Sequence, residues 1–296
     1  SKLRSQLCAS GFYEHYSNSL QNKELTSHFS SGEAIQLINP LSIDMEYIRN
    51  SILPGLLVAT SYNEKRQEKS FKLFEIGAIH SKSKKSSTGV NEKFHLGLLW
   101  YGNAKVHWRE HQQRDIFRYK GEVASILNSI GIKNVSFRIG SSLGFQSSLK
   151  IYIGKTQVGV IGLPISEVLK KYDINNTPYL CDLSLHLIYN FWKNNKINYS
   201  DPVTFPSMIR DISLQVNEDV LAGDLLDNIY KNGGVNLRDV TLFDIYESNE
   251  VGNNKKSLAF SLKYQSESAT LTDKEVDRDL ELILKSLKDQ YGAIQR

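Results

Sequence analysis

The chain is poor in the residues on which many site chemistries depend. Among 296 residues there are two cysteines, Cys8 and Cys181, far apart in sequence. That count argues against a disulfide framework and against a cysteine-based zinc site, and it fits a reducing cytoplasm. Both thiols are expected to be buried as small apolar side chains. No apolar run approaches the roughly 18 residues that cross a membrane. The N-terminus has no apolar signal segment. The Gly- and Ser-rich residues 141–148 lack the Lys-Ser/Thr of a phosphate loop and read as structural. No serine-histidine-aspartate ordering stands out.

What remains has an ordinary globular composition, 40% hydrophobic and 23% charged. The length suggests two domains. The net charge of +4 is unevenly spread. Residues 203–296 hold 11 Lys+Arg against 16 Asp+Glu, a net of −5, which leaves residues 1–202 with 25 against 16, a net of +9. Bulk charge therefore does not favour RNA binding by the C-terminal part; a contact there needs a local basic patch or stacking. Part of the front excess lies in residues 80–87, read as a solvated loop.

Leu3, Leu7 and Cys8 share a face of a first helix that Gly11 can end. Residues 12–20 and 35–38 read as strands. Pro54 fits the first turn of a helix running through Tyr62. Residues 71–79 are apolar on both faces except at Lys72 and Glu75, which predicts an inner strand. A polar loop with a disordered tip joins it to a strand over 94–101. A helix from Asp115 or a neighbour through Ile130 follows, closed by Gly131. Next come a strand over 135–139, a hairpin over 149–163 turning at Gly154-Lys155, and a short helix capped by Ser166. A strand over 179–185 completes a mostly antiparallel sheet, and Asp201-Pro202 marks the boundary.

Beyond it, strands over 209–216, 240–246 and 257–264 alternate with a helix over 222–230. A second helix opens on a capping box, Thr272 with Glu275, and Gly292 stops it before a short edge strand. The order is βαββαβ, a split βαβ fold also used to hold RNA. The fold class is α+β: an antiparallel-sheet domain over 1–200, then a ferredoxin-like domain over 201–296. Within the latter, Arg210, Arg238, Lys255 and Lys256 are the candidate phosphate contacts and Tyr246 the candidate stacking residue. Phe243 and Ile245 are expected on one face, Asp244 and Tyr246 on the other. For Arg210 a local ion pair with Asp211 is the alternative. His107 and His111 stand at helical spacing, but no further ligand is near and no metal is expected.

The phrase from Phe205 to Leu214, FPSMIRDISL, resembles the anticodon-binding domain at the C-terminus of the phenylalanyl-tRNA synthetase β subunit. Leu3-Arg4 through Glu14 resembles the dimer-forming helix-strand of class II synthetases, and Asn39-Pro40-Leu41-Ser42, Leu53-Pro54-Gly55-Leu56-Leu57, Leu73-Phe74-Glu75-Ile76-Gly77 and Gly159-Val160-Ile161-Gly162-Leu163-Pro164 resemble the same β subunit in order. The resemblance implies a front domain with the class II synthetase fold but no catalysis. Class II chemistry uses two arginine clamps on ATP phosphate. Here the corresponding strand reads Phe-Glu-Ile-Gly, and no arginine follows the Gly-rich stretch. Glu75 is expected to be a paired structural carboxylate.

The resemblance further implies an α-subunit partner that holds phenylalanine, ATP and magnesium. Leu3, Leu7, Tyr47 and Leu56 are the interface candidates. The back domain would hold the anticodon stem-loop of tRNA(Phe) during ATP-dependent aminoacylation by the assembly. No cofactor or metal is expected in this chain, and no membrane or DNA partner. The family's upstream editing and metal-binding domains have no counterpart, so a cytoplasmic C-terminal fragment, inactive alone, is expected. The alternatives are a single-chain organellar-type synthetase, which would need the missing arginines, and an interaction module without RNA affinity.

Overall fold

The computed structural model describes residues 2–102, 115–194, 201–246 and 254–295. The chain forms two compact units, Ser1–Ile197 and Asn198–Arg296. His107, Trp108 and His111 lie outside the described residues, as does most of the loop after Tyr246.

In the front unit, α1 (Lys2–Ala9) leads into β1 (Tyr13–Glu14). Leu7 is buried, but Cys8 is exposed, against expectation. One residue is about 100° around a helix, and that turn carries Cys8 off the buried stripe. The strand expected over 12–20 is two strands in different sheets, β1 and β2 (Leu20–Gln21). Between them Ser17 turns inward and its hydroxyl donates to Glu75 Oε2 at 2.6 Å. β2 joins β3 (Ile35–Gln36) and β4 (Tyr47–Ile48) in a small sheet that leads into α2 (Leu53–Glu64). Pro54 sits in the first turn of α2, where its missing N–H costs nothing.

β5 (Phe71–Lys82) and β6 (Val90–Tyr101) form a long hairpin in continuous antiparallel register. Its tip is not irregular. Ser83 N–H donates to Gly89 O at 2.8 Å, and Gly89 takes a φ of +72° that a side chain would resist. α3 (Ile116–Ser129) begins at Asp115, whose carboxylate accepts from the Arg118 N–H. β7 (Val135–Ile139), β8 (Phe145–Ile153) and β9 (Thr156–Pro164) follow, then α4 (Ser166–Lys171), β10 (Tyr179–Ser184) and α5 (Leu185–Asn194). Ser166 is the first residue of α4 rather than its cap. Extended Ile165 holds the cap position, with no side-chain bond.

The main sheet runs β1-β5-β6-β10-β9-β8-β7, antiparallel throughout except for β1 against β5. Alternation along β6 divides the core. Leu96, Leu98 and Trp100 join Leu7 of α1, Val123 of α3 and Ile188 of α5 on one face. Leu99 and Tyr101 join Leu53, Leu56 and Leu57 of α2 and Val168 of α4 on the other. Both faces of β5, β6 and β10 are thus covered, which explains the near-continuous apolar runs.

In the back unit, β11 (Met208–Asn217), α6 (Ala222–Asn232), β12 (Leu237–Tyr246), β13 (Lys255–Tyr264), α7 (Asp273–Tyr291) and β14 (Ile294–Gln295) follow in turn. The sheet order is β12-β13-β11-β14, all pairs antiparallel. Ile212, Leu214, Leu258 and Phe260 pack against Leu225 and Ile229 of α6 and Ile283 and Leu287 of α7. Each such buried side chain contributes about 1.5–3 kcal/mol. The capping box at Thr272 and Glu275 forms, and Gly292 closes α7 at φ +62°. The other face of this sheet carries no helix among the described residues of the unit.

Candidate RNA and subunit interfaces

The α2 face of the front sheet is filled. Gly97 of β6 leaves room for α2: a Cβ there would lie 2.7 Å from Ile52 and 2.9 Å from Leu56. Beside it, Glu75 is 1% exposed and Arg49 4%. Arg49 donates to Glu75 Oε1 at 2.5 Å, to Ser17 Oγ at 3.1 Å and to Ala78 O at 2.8 Å. Gly77, one pleat on, leaves space for the Arg49 guanidinium. The expected paired role of Glu75 is therefore observed. Its partner Arg49 was not singled out in the sequence, because a long-range pair leaves no spacing signal. On this face β5 thus presents a buried carboxylate that is already paired. No arginine occurs between Arg138 and Arg210.

A polar cleft of about 690 Å³ lies where β6 ends, lined by Glu64, Tyr101, Asn176 and Tyr179. Its carboxylate is already engaged. Glu64 accepts from the Tyr101 hydroxyl and from the Asn175 and Asn176 amides. Burial pushes the Glu64 carboxyl up, but the Tyr101 hydroxyl and the two backbone amides hold it below its ordinary value. Burial, then Glu64, push the Tyr101 phenol up to about 12. Among the described residues no three metal-ligating side chains gather.

The predicted interface residues separate. Leu7 and Leu56 are fully buried core residues, so no partner can reach them. Tyr47 is half-buried on β4 and Leu3 half-buried on α1. Leu3 instead lines an apolar groove of about 550 Å³ with Phe94, Ile130, Tyr189 and Trp192. Tyr189 and Trp192 of α5 stack at 5.8 Å and stay about half exposed. Their i, i+3 spacing on an amphipathic helix is the signal the sequence carries for this pair. A second exposed apolar group, Ile38, Leu41 and Ile43, follows β3.

In the back unit, the RNA candidates fall at two ends of the sheet. Tyr246 opposes Ser257, and Lys255 opposes Asn217. Both lie on the face without helices, where Ser213 and Ser257 hydroxyls meet at 3.1 Å. Tyr246 is 46% exposed. Lys256 belongs to the helix side, and its ammonium donates to Glu218 O at 2.7 Å. Arg210 opposes Leu262, about 23 Å along the strand from Lys255 at ~3.3 Å per residue. It also points to the helix side and is bonded to Asp273 and Asp277 at the start of α7. Those carboxylates, not Asp211, are its partners. Arg238 pairs with Glu267 at 3.2 Å. The face assignment of Phe243 changes too. A bulge between Leu242 and Asp244 makes Phe243 an extra residue, so Leu242 and Ile245 share the helix side. Asp244 and Tyr246 face the other way, as expected.

Comparison with known proteins accords with this architecture. The family model described as the phenylalanyl tRNA synthetase beta chain CLM domain matches residues 1–185. The ferredoxin-fold anticodon binding domain matches residues 203–296. The phenylalanine–tRNA ligase beta subunit of Geobacillus kaustophilus is 31% identical over 100% of this chain and 37% of its own length. That of Pseudoalteromonas translucida is 31% identical over 100% of this chain and 38% of its own. The chain thus spans little more than a third of the curated relatives it matches. Pyrrolysyl-tRNA synthetase from Desulfitobacterium hafniense shares the fold at TM-score 0.52 and 17% identity, over 65% of this chain and 67% of that one. No helix among the described residues is long and apolar enough to cross a membrane. With one family model covering the front unit and the other the back, this chain belongs to the phenylalanyl-tRNA synthetase β-chain family.

Proposed function

We propose that this chain is the scaffolding and tRNA-holding part of a cytoplasmic phenylalanine–tRNA ligase. Residues 1–200 act as a silent class II core, and residues 201–296 hold the anticodon stem-loop of tRNA(Phe). The single observation that carries the first half is the α2 face: apolar side chains of α2 and the buried Arg49–Glu75 pair fill it, leaving a committed carboxylate rather than a free cation for phosphate. Phenylalanine, ATP and magnesium then belong to the α subunit, and this chain contributes position. The α1–α5 groove, with Leu3, Phe94, Tyr189 and Trp192, is the surface offered to that subunit.

The open sheet face of the back unit supports the second half. Tyr246 supplies a ring for stacking and Lys255 a charge for phosphate, while Lys256 points to the helix side. Phosphate and stacking contacts fix the tRNA so that its acceptor end reaches the partner's site, which lowers the entropy cost of the encounter. The test is tRNA(Phe) binding by this chain at low and moderate salt, with and without the α subunit. Salt-sensitive binding that weakens on Lys255→Ala and Tyr246→Ala supports the reading. No binding in either setting leaves a scaffold without RNA affinity.

A further inference from the structure

Two like charges face each other on the front sheet. Arg138 of β7 stands directly opposite Lys150 of β8. Directly opposed side chains start about 5 Å apart, and like charges in that position destabilise a sheet. Neither has an ion-pair partner among the described residues. Continuing across the row, Lys150 opposes Val160 and Val160 opposes Asp182. Asp182 is two strands away, and His95 already engages it at 2.6 Å.

The two cations are also pre-set. The Arg138 guanidinium lies 5.3 Å from the centre of the Tyr152 ring, which holds its planar fork. The stem of Lys150 lies against Gly140, where a Cβ would come within 2.9 Å of its Cε. Arg138 is exposed and Lys150 half-buried. The front part carries the chain's positive excess, +9 against −5 behind.

We propose that Arg138 and Lys150, with Tyr152 beneath, form a second RNA contact that grips the phosphate backbone outside the anticodon domain. A phosphate between the two heads removes their mutual repulsion and accepts from the guanidinium fork. The inference rests on the proposed function only in taking tRNA as the ligand.

The test is tRNA(Phe) binding by the whole chain across salt from about 50 to 200 mM, the range where phosphate contacts are read most steeply. The variants are Arg138→Ala/Lys150→Ala and, separately, Tyr246→Ala/Lys255→Ala. Lys155→Ala, at the turn of the same hairpin, is the control. Losing that phosphate contact should lower the slope of log affinity against log salt by about 0.7–0.9. The same double variant should melt no lower than the wild type, because it removes a repulsion. An unchanged slope with the anticodon-domain variants still damaging overturns this inference and leaves the proposed function standing. A reduced slope with the anticodon-domain variants silent does the reverse. A slope lowered equally by Lys155→Ala, or no binding by the wild type, also overturns the inference.

Discussion

The Arg49 guanidinium lies 2.5 Å from the Glu75 carboxylate on the α2 side of the front sheet, with neither side chain more than 5% exposed. Removing one partner leaves a buried charge unanswered, which costs about 3–5 kcal/mol. Glu75→Leu and Arg49→Met should each lose that much in urea unfolding. The double replacement should lose far less, because it also removes the desolvation penalty. Equal, additive losses would mean that the two groups do not act as a pair.

The thiols give a direct reading of α1. Cys8 is exposed and Cys181 fully buried, and burial, then Asp182, push the Cys181 thiol well above its ordinary value. A thiol reagent should therefore modify one cysteine in the folded chain and two after unfolding. Cys8→Ser should abolish the native reaction. Two fast-reacting thiols in the folded chain would contradict the packing of β10.

Much of this architecture was legible in the sequence, and the exceptions share a cause. The capping box of α7 and Pro54 at the start of α2 depend on neighbours within a few residues, and the β5–β6 hairpin joins two apolar strands consecutive in sequence, so the local pattern shows them. Arg49, 26 residues from Glu75, and Asp273, 63 residues from Arg210, are partners that only tertiary folding brings close. The bulge at Phe243 likewise has no marker, since alternation reads the same until pairing with β13 is known. Glu75 could be read as a paired carboxylate because a charge on an inner strand demands a partner, but not which partner. The interface candidates failed at Leu7 and Leu56 because apolar spacing shows that a face is buried, not what buries it.

His28 makes the front unit sensitive to acid. It is 8% exposed, its Nδ1 lies 3.2 Å from the Tyr172 hydroxyl, and its Nε2 is buried without a protein partner. Burial, then Lys171, push its pKa below the usual 6.5. The folded state therefore binds the proton less readily than the unfolded state. Stability is present above about 6.5 and falls as pH drops below that toward the folded pKa. His28→Phe should flatten the decline in melting temperature between about pH 7 and 5. A wild-type slope that persists in the variant would place the acid sensitivity elsewhere.

The proposal that the front unit is silent makes a clear kinetic prediction. With α2 packed on β5 and β6 and Glu75 tied to Arg49, the chain should give no phenylalanine-dependent exchange of pyrophosphate into ATP. Adding the α subunit should restore exchange, and replacing Glu75 by Gln should change stability without creating activity in the chain alone. Exchange by the chain alone would overturn the scaffold reading.

The two ends of the back-unit sheet should respond differently to substitution. Tyr246 and Lys255 share the uncovered face, whereas Arg210 is bonded to Asp273 and Asp277 on the helix side. If a base stacks on Tyr246, Tyr246→Ala should cost about 1–3 kcal/mol of tRNA affinity. Lys255→Ala should weaken binding and lower the salt slope by about 0.7–0.9, one phosphate's worth. Arg210→Ala should act on the fold. It leaves two carboxylates in the first turns of α7 without their cation, so the melting temperature should fall while tRNA affinity, measured well below melting, stays nearly constant. Arg210 would become an RNA contact rather than a helix anchor if its replacement lowered affinity and salt slope with no change in melting.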